Sequence, residues 1–287
     1  MKEVSIMQPM RLFLLTVLAM LAFAANSLLC RIALKSGSID PATFTALRLG
    51  YGALMLALVV RLRGASPWRD GSWRAALMLF GYAAAFSFAY VSLPAGVGAL
   101  LLFGAVQATM IAAGLWRGER LSRWQWAGMV LAMGGLVLLL LPGLTAPPIG
   151  SALLMLVAGV GWGAYSLCGR TVSDAGAATA GNFLRAAPLA IVLVAAFAAH
   201  LGLSAQGLGY ALISGAITSG LGYIVWYAVL PRLPSSIAAT VQLSVPLLAG
   251  LGGVALLGEA WTARLGWSGA ALLGGIALVV LARRRGA

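Results

Sequence analysis

Ten apolar runs of roughly twenty residues, parted by short polar connections, take up nearly all of the 287-residue chain. At about 1.5 Å of rise per residue, a helix of that length crosses a hydrocarbon core of about 30 Å. A helix also satisfies its own backbone polar groups, as lipid requires. The runs cover approximately residues 12–35, 41–61, 73–93, 96–116, 124–141, 149–170, 178–199, 207–230, 235–257 and 264–282. The expected fold is therefore an all-α polytopic membrane protein with ten transmembrane helices. Its connections are too short to hold a soluble domain with a separate activity.

Only 9% of residues are charged, against about 25% in a typical soluble domain. The formal net charge of +13 invites a nucleic-acid reading. However, the basic residues are scattered between apolar runs and form no continuous face, so nucleic acid is excluded as a partner and the lipid bilayer is the expected one. Cys30 and Cys168 lie inside apolar runs and His200 is the single histidine, which leaves no metal-ligand cluster; no cofactor is expected. Lys2 and Arg11 precede LFLLTVLAMLAFA in the manner of a signal peptide, but a later segment repeats this one, so it reads as the first span. A lipoprotein signal ending at Cys30 is disfavoured by Leu29, which stands where a small residue is needed.

The chain echoes itself. Gly118–Glu119 and Gly134–Gly135 recur 140 residues later as Gly258–Glu259 and Gly274–Gly275. Arg31 and Gly37 match Arg170 and Gly176, and Arg48, Tyr90 and Pro94 match Arg185, Tyr227 and Pro231. This pattern divides the chain into a first repeat, residues 1–145 with helices 1–5, and a second, residues 146–287 with helices 6–10. Five spans is an odd number, so the second copy enters the membrane upside down relative to the first.

Orientation follows from the bias of lysine and arginine toward cytoplasmic connections. With the N-terminus inside, the cytoplasmic face collects Lys2, Arg11, Arg61, Arg63, Arg69, Arg74, Arg117, Arg120, Arg123, Arg170, Arg232 and Arg283 to Arg285, while Arg31, Lys35 and Arg264 fall outside. Both termini are expected in the cytoplasm.

The five-plus-five inverted repeat resembles the EamA family of the drug/metabolite transporter superfamily. The Gly-Glu pairs ending helices 4 and 9, the Gly-Gly pairs in helices 5 and 10, and the arginines of helices 2 and 7 carry that resemblance. Within it, the aromatic-rich centre is similar to YddG-type exporters of aromatic and other neutral amino acids; sugar, nucleoside and cationic-metabolite carriers share the scaffold. The resemblance implies a multi-pass protein of the bacterial inner membrane, with a small-molecule substrate and a cavity lined by helices 1, 3, 4, 6, 8 and 9.

Counting inward from the helix ends gives the candidate substrate-binding residues at mid-depth. They are Asn26 with Phe23 and Ser27 on helix 1, Tyr82 and Phe86 on helix 3, Gln107 on helix 4, Trp162 and Tyr165 on helix 6, Tyr223 and Trp226 on helix 8, and Gln242 on helix 9. Tyr82, Phe86 and Tyr90 recur every four residues and share a helix face. Such stripes also serve as interhelical packing, and the amides as interhelical hydrogen bonds. Tyrosines near span ends, such as Tyr90, Tyr210 and Tyr227, fit an interfacial aromatic belt. Pro246 removes a backbone donor from helix 9 and marks it as a gating candidate.

Arg48 and Arg185 sit about seven residues inside their spans. Capture of a substrate carboxylate competes there with snorkelling to headgroups or bonding to carbonyls of a neighbouring helix end, and the shallow depth favours the latter. Glu119 and Glu259 are expected to fix their own hairpins. No acidic residue falls at mid-span, which favours neutral or zwitterionic cargo over cations. A membrane-embedded enzyme would need a nucleophile with a base, paired carboxylates or a metal cluster at matched depth. The sequence supplies none.

Overall fold

A computed structural model describes residues 9–116, 118, 121–141, 143, 146–169, 172, 174–233 and 241–282. These residues form ten helices: α1 (Pro9–Lys35), α2 (Pro41–Leu62), α3 (Trp73–Tyr90), α4 (Ala95–Trp116), α5 (Arg123–Leu140), α6 (Ile149–Cys168), α7 (Ala175–Ala196), α8 (Ala205–Arg232), α9 (Ser244–Leu257) and α10 (Ala263–Ala282). Seven of the described helices are long and apolar enough to cross a membrane; α9 and α10 are shorter but apolar.

The starts of several helices are written in the sequence as side-chain caps. Asp40 accepts from the backbone N–H groups of Ala42 and Thr43, with Pro41 at the first helical position of α2. Ser72 caps α3, and Ser122 forms a reciprocal capping box with Gln125 at the start of α5. These bonds satisfy backbone donors that a helix end leaves unpaired.

Hydrogen bonds between connections fix the sense of each helix. At one end of the bundle the Asp40 N–H donates to the Gly202 carbonyl, joining the α1–α2 connection to the α7–α8 connection. At the same end Ser92, after α3, bonds Ser151 at the start of α6. The opposite end joins Ser72, before α3, to the Asn182 side chain of α7. Thus α1 finishes at the end where α6 begins, and the two five-helix repeats run in opposite senses.

Pairing across the repeats is close: α5 lies against α10, α2 against α7, and α3 against α6. Glycine makes the first pairing possible. A Cβ on Gly128 would stand 2.6 Å from the Gly275 carbonyl, one on Gly275 would stand 2.5 Å from the Ala132 amide, and one on Gly135 would stand 2.7 Å from the Leu272 amide. Gly134 and Gly274 face open space. Only the second glycine of each Gly-Gly pair is therefore a contact. Small residues that let backbones approach are what holds helices together where lipid is as apolar as the side chains.

One departure from a plain α-helix was not foreseen. Ile213–Leu221, in the middle of α8, is a π-helix, with buried Ser214, Thr218 and Ser219 on it. The Gly215 backbone rests against the Arg48 carbonyl of α2. Wider π turns shift the register of the side chains that follow, and they recur at functional sites.

Substitution of Gly135 or Gly275 by valine should lower the stability of the purified protein by about 1–3 kcal/mol through overpacking, whereas alanine at Gly134 or Gly274 should leave it unchanged. Thermal unfolding in detergent reads the difference.

Candidate central cavity and its seal

Aromatic side chains from four helices meet at the centre of the bundle. Phe23 of α1 lies with its ring centroid 6.2 Å from Trp162 of α6 and 5.9 Å from Tyr223 of α8. Trp162 is 4.9 Å from Tyr223 and 5.1 Å from Tyr82 of α3, which is 5.4 Å from Phe86. Edge and tilted geometries of this kind bring ring hydrogens against ring faces, the favoured arrangement for aromatic pairs. Together with Asn26, Ser27, Leu102 and Phe103, these rings line a hollow of about 20 Å³. That is room for about one water molecule, so side chains nearly fill the central cavity.

The predicted residues divide by position. Asn26, Tyr82, Phe86, Trp162 and Tyr223 share the central hollow. Tyr165 lines a second cavity of about 100 Å³, with Ser72, Thr179, Asn182 and Tyr227. Trp226 backs Phe23 at 5.9 Å. Gln107 is buried and lines neither cavity, and its side-chain Nε2 has no partner among the described residues. Gln242 is half-buried and also lines neither. Helix 9 was expected to line the cavity, but among its described residues none contributes a side chain to the central hollow. Its glycines turn instead against α4 and α1, Gly250 meeting Gly96 and Gly252 meeting Leu28. Pro246 is buried in the first turn of α9, just beyond an interruption at Leu243.

Asn26 is held in place by α8. Its Oδ1 accepts from Ser214 Oγ at 2.6 Å and from Thr218 Oγ1 at 3.3 Å, both on the π-helix. A run of Ser, Thr and Gly at mid-span was the available signal for these partners, since small hydroxyl residues inside a membrane helix must bond something.

The arginines of helices 2 and 7 do not behave alike. Arg185 matches the carbonyl-bonding expectation, donating to the Asp70 and Trp68 carbonyls of the connection between α2 and α3 and to the Gly181 carbonyl of its own helix. Arg48 does not. It is fully buried, its Nε donates to Ser219 Oγ at 3.1 Å, its Nη2 donates to Tyr82 Oη at 2.9 Å, and its guanidinium stacks 5.2 Å and 5.0 Å from the Tyr82 and Phe86 ring centroids. The shallow-depth argument fails because α8 and α3 cover the outer side of α2 at this level.

The end of the bundle where α1 finishes is bridged by an ion pair between the repeats. Arg31 Nε donates to Glu259 Oε1 at 3.0 Å, with both side chains about nine-tenths buried. Arg31 Nη1 donates to the Tyr90 and Val91 carbonyls, and Glu259 Oε2 accepts from the Ala95 N–H at 2.8 Å, at the start of α4. A carboxylate at a helix N-terminus gains from the dipole and from the unpaired donors there. Lys35 adds a bond to the Leu257 carbonyl. Glu259 was expected to fix its own hairpin; its carboxylate instead ties the end of α9 to α1 and α4, because Gly258 adopts a left-handed conformation, φ 61°, that ends α9 and turns the chain inward. Tyr90 is likewise no belt residue: it is fully buried with its hydroxyl donating to the Ala95 carbonyl. Glu119 and Arg170, the counterparts in the other repeat, lie outside the described residues.

Comparison with known proteins agrees with this architecture. The model of the EamA-like transporter family matches twice, over residues 10–141 and 149–281. The chain is 59% identical over 275 residues to the Uncharacterized protein PA1977 of Pseudomonas aeruginosa, covering 95% of this chain and 96% of that one. A protein of known crystal structure superposes with a TM-score of 0.68 at 21% identity, covering 96% of this chain and 99% of that chain.

Cys30, fully buried and adjacent to Arg31, offers a test of the seal. In a Cys168→Ser background it should resist a membrane-impermeant maleimide, and Glu259→Gln should raise its labelling rate at least about tenfold, the effect of losing about 1.4 kcal/mol of closure.

Proposed function

The chain belongs to the EamA-like transporter family, and on that premise we propose that it is a secondary carrier exporting small neutral or zwitterionic metabolites by alternating access through the central cavity. Aromatic and other neutral amino acids, the cargo of YddG-type exporters, are the favoured substrates. The observation that carries this reading is the five-ring cluster of Phe23, Tyr82, Phe86, Trp162 and Tyr223, drawn from α1, α3, α6 and α8 and so from both repeats, around a hollow that Asn26 and Ser27 also line. Rings of this kind offer stacking and apolar contact to an amino-acid side chain.

The hollow is far smaller than the roughly 300–1,000 Å³ of a ligand-filled pocket. A carrier must therefore open it, and the arrangement described corresponds to a closed state. The Arg31–Glu259 pair shuts one face, while the larger cavity beside Tyr165 lies toward the other. Among the described residues, that second face carries Arg61, Arg63, Arg69, Arg74, Arg123 and Arg232, which by the positive-inside tendency makes it cytoplasmic in a bacterial inner membrane, with both termini on that side. Substrate would then enter beside Tyr165 and leave past Arg31. In the opening movement α3, α4, α8 and α9 rock against their counterparts, with the interruption before Pro246 allowing α9 to bend.

Organic cations are disfavoured as cargo, since a buried guanidinium stands directly behind Tyr82 and Phe86.

Proteoliposomes containing the purified protein test the reading. They should release preloaded radiolabelled phenylalanine faster than empty vesicles, and Trp162→Ala should raise the KM at least about tenfold, the loss of roughly 1.5–3 kcal/mol of aromatic contact. Absence of movement of any amino acid by folded protein would retire the amino-acid reading.

A further inference from the structure

A formal positive charge lies inside the bundle with no negative partner among the described residues. Arg48 is 1% exposed, and both of its hydrogen bonds go to neutral hydroxyls, Ser219 Oγ and Tyr82 Oη. Its remaining terminal nitrogen, Nη1, is buried and has no acceptor among the described residues. Among the described residues the ion pair is Arg31–Glu259, elsewhere in the molecule. A guanidinium keeps its charge in any protein environment and presents donors in a fixed fork. A buried charge without a counter-ion is unfavourable, and inside a membrane protein such a group marks a functional site.

Three features place this charge at the central cavity. Tyr82 and Phe86, which hold the guanidinium by a hydrogen bond and by their ring faces, are themselves cavity-lining residues, so Arg48 stands one side chain behind the wall. Ser219, its third contact, comes from the π-helix that also supplies Ser214 and Thr218 to cavity-lining Asn26. Finally, Arg185 at the matching position of the second repeat spends its donors on three backbone carbonyls. A position used only for scaffolding would look the same in both repeats.

We propose that Arg48 is the anion anchor of the central site: on cavity opening its unpaired Nη1 donates to a carboxylate of the substrate. The transported class is then a monocarboxylate with an apolar or aromatic body, which includes zwitterionic amino acids and excludes their amides and decarboxylated amines. Charge-assisted bonds from arginine to carboxylate are stronger than those between neutral groups, and the carboxylate supplies the missing counter-charge. A substrate ammonium would rest against ring faces on the other side of the cavity, where cation–π attraction favours it. The assignment rests on the carrier reading for its location and names the substrate class of that same site.

A ligand ladder on wild-type protein tests it without any variant. Thermal shifts in detergent, which grow with ligand concentration for anything that binds the folded state, are measured with phenylalanine, 3-phenylpropanoate, phenylalaninamide and phenethylamine, and with alanine, alaninamide and pyruvate as a ring-free series. The acids should bind at least about tenfold more tightly than the amide or the amine of the same body. Arg48→Gln should erase that preference, and Arg48→Lys should retain part of it. Amide or amine binding as tight as acid binding, no acid binding at all, or an acid preference that survives in folded Arg48→Gln would each overturn the anchor. Failure of the carrier reading looks different. Acid-selective binding lost in Arg48→Gln, with no flux in proteoliposomes, would keep the anchor and retire transport; selectivity confined to the ring-free series would keep the anchor and retire the aromatic cargo. Flux of amides and acids alike would keep transport and retire the anchor.

Discussion

Hydrogen bonding without water is the constraint on which the rest of this structure depends. In a bilayer each buried polar group must find its partner inside the protein, and here several of the bonds that join distant helices cross from one repeat to the other. Asn26 of α1 is bonded by α8, Arg31 by Glu259, Asp40 by Gly202, and Ser72 by Asn182. The two halves are therefore held against one another by polar contacts at their ends and at mid-depth, with close glycine contacts between α5 and α10 in the apolar zone. Such contacts are discrete: they are made or broken. An assembly of this kind has a small number of arrangements, and does not deform continuously.

The distribution of those contacts separates scaffold from site. At the two ends carbonyls take up the donors of Arg31 and Arg185. Among the described residues three buried side-chain donors lack an acceptor, Arg48 Nη1, Gln107 Nε2 and Ser268 Oγ, and of these Arg48 stands directly behind the wall of the central cavity. An unmet charged donor behind a cavity wall has no structural benefit; a molecule with an acceptor to offer would complete it. The rings of Tyr82 and Phe86 beside Arg48 favour a molecule that also carries an apolar body.

Much of this was legible in the sequence because lipid leaves few options. Span length, the recurrence of Gly-Glu and Gly-Gly 140 residues apart, and the odd number of spans per copy lead to ten helices in two opposed repeats. Of the residues counted to mid-depth, Asn26, Tyr82, Phe86, Trp162 and Tyr223 border one small hollow. What depth and periodicity do not encode is which neighbour covers a residue. Arg48 looked shallow by position along α2, yet the π-helix of α8 buries it; Gln242 looked central, yet α9 turns its glycine face inward and leaves that side chain off the cavity. Register changes such as the π-helix arise from tertiary packing, here the approach of Gly215 to the α2 backbone, and no local propensity announces them.

Alternating exposure of one cavity requires that the face now shut by Arg31 and Glu259 open in another state. Pulsed dipolar spectroscopy between spin labels at exposed Ser36 and Ala260, on either side of that ion pair, measures this directly in lipid. The account predicts two distances, the shorter dominant in wild-type protein and the longer one gaining population when Glu259 is replaced by glutamine. A single distance, unchanged by breaking the ion pair and by every ligand, would contradict it.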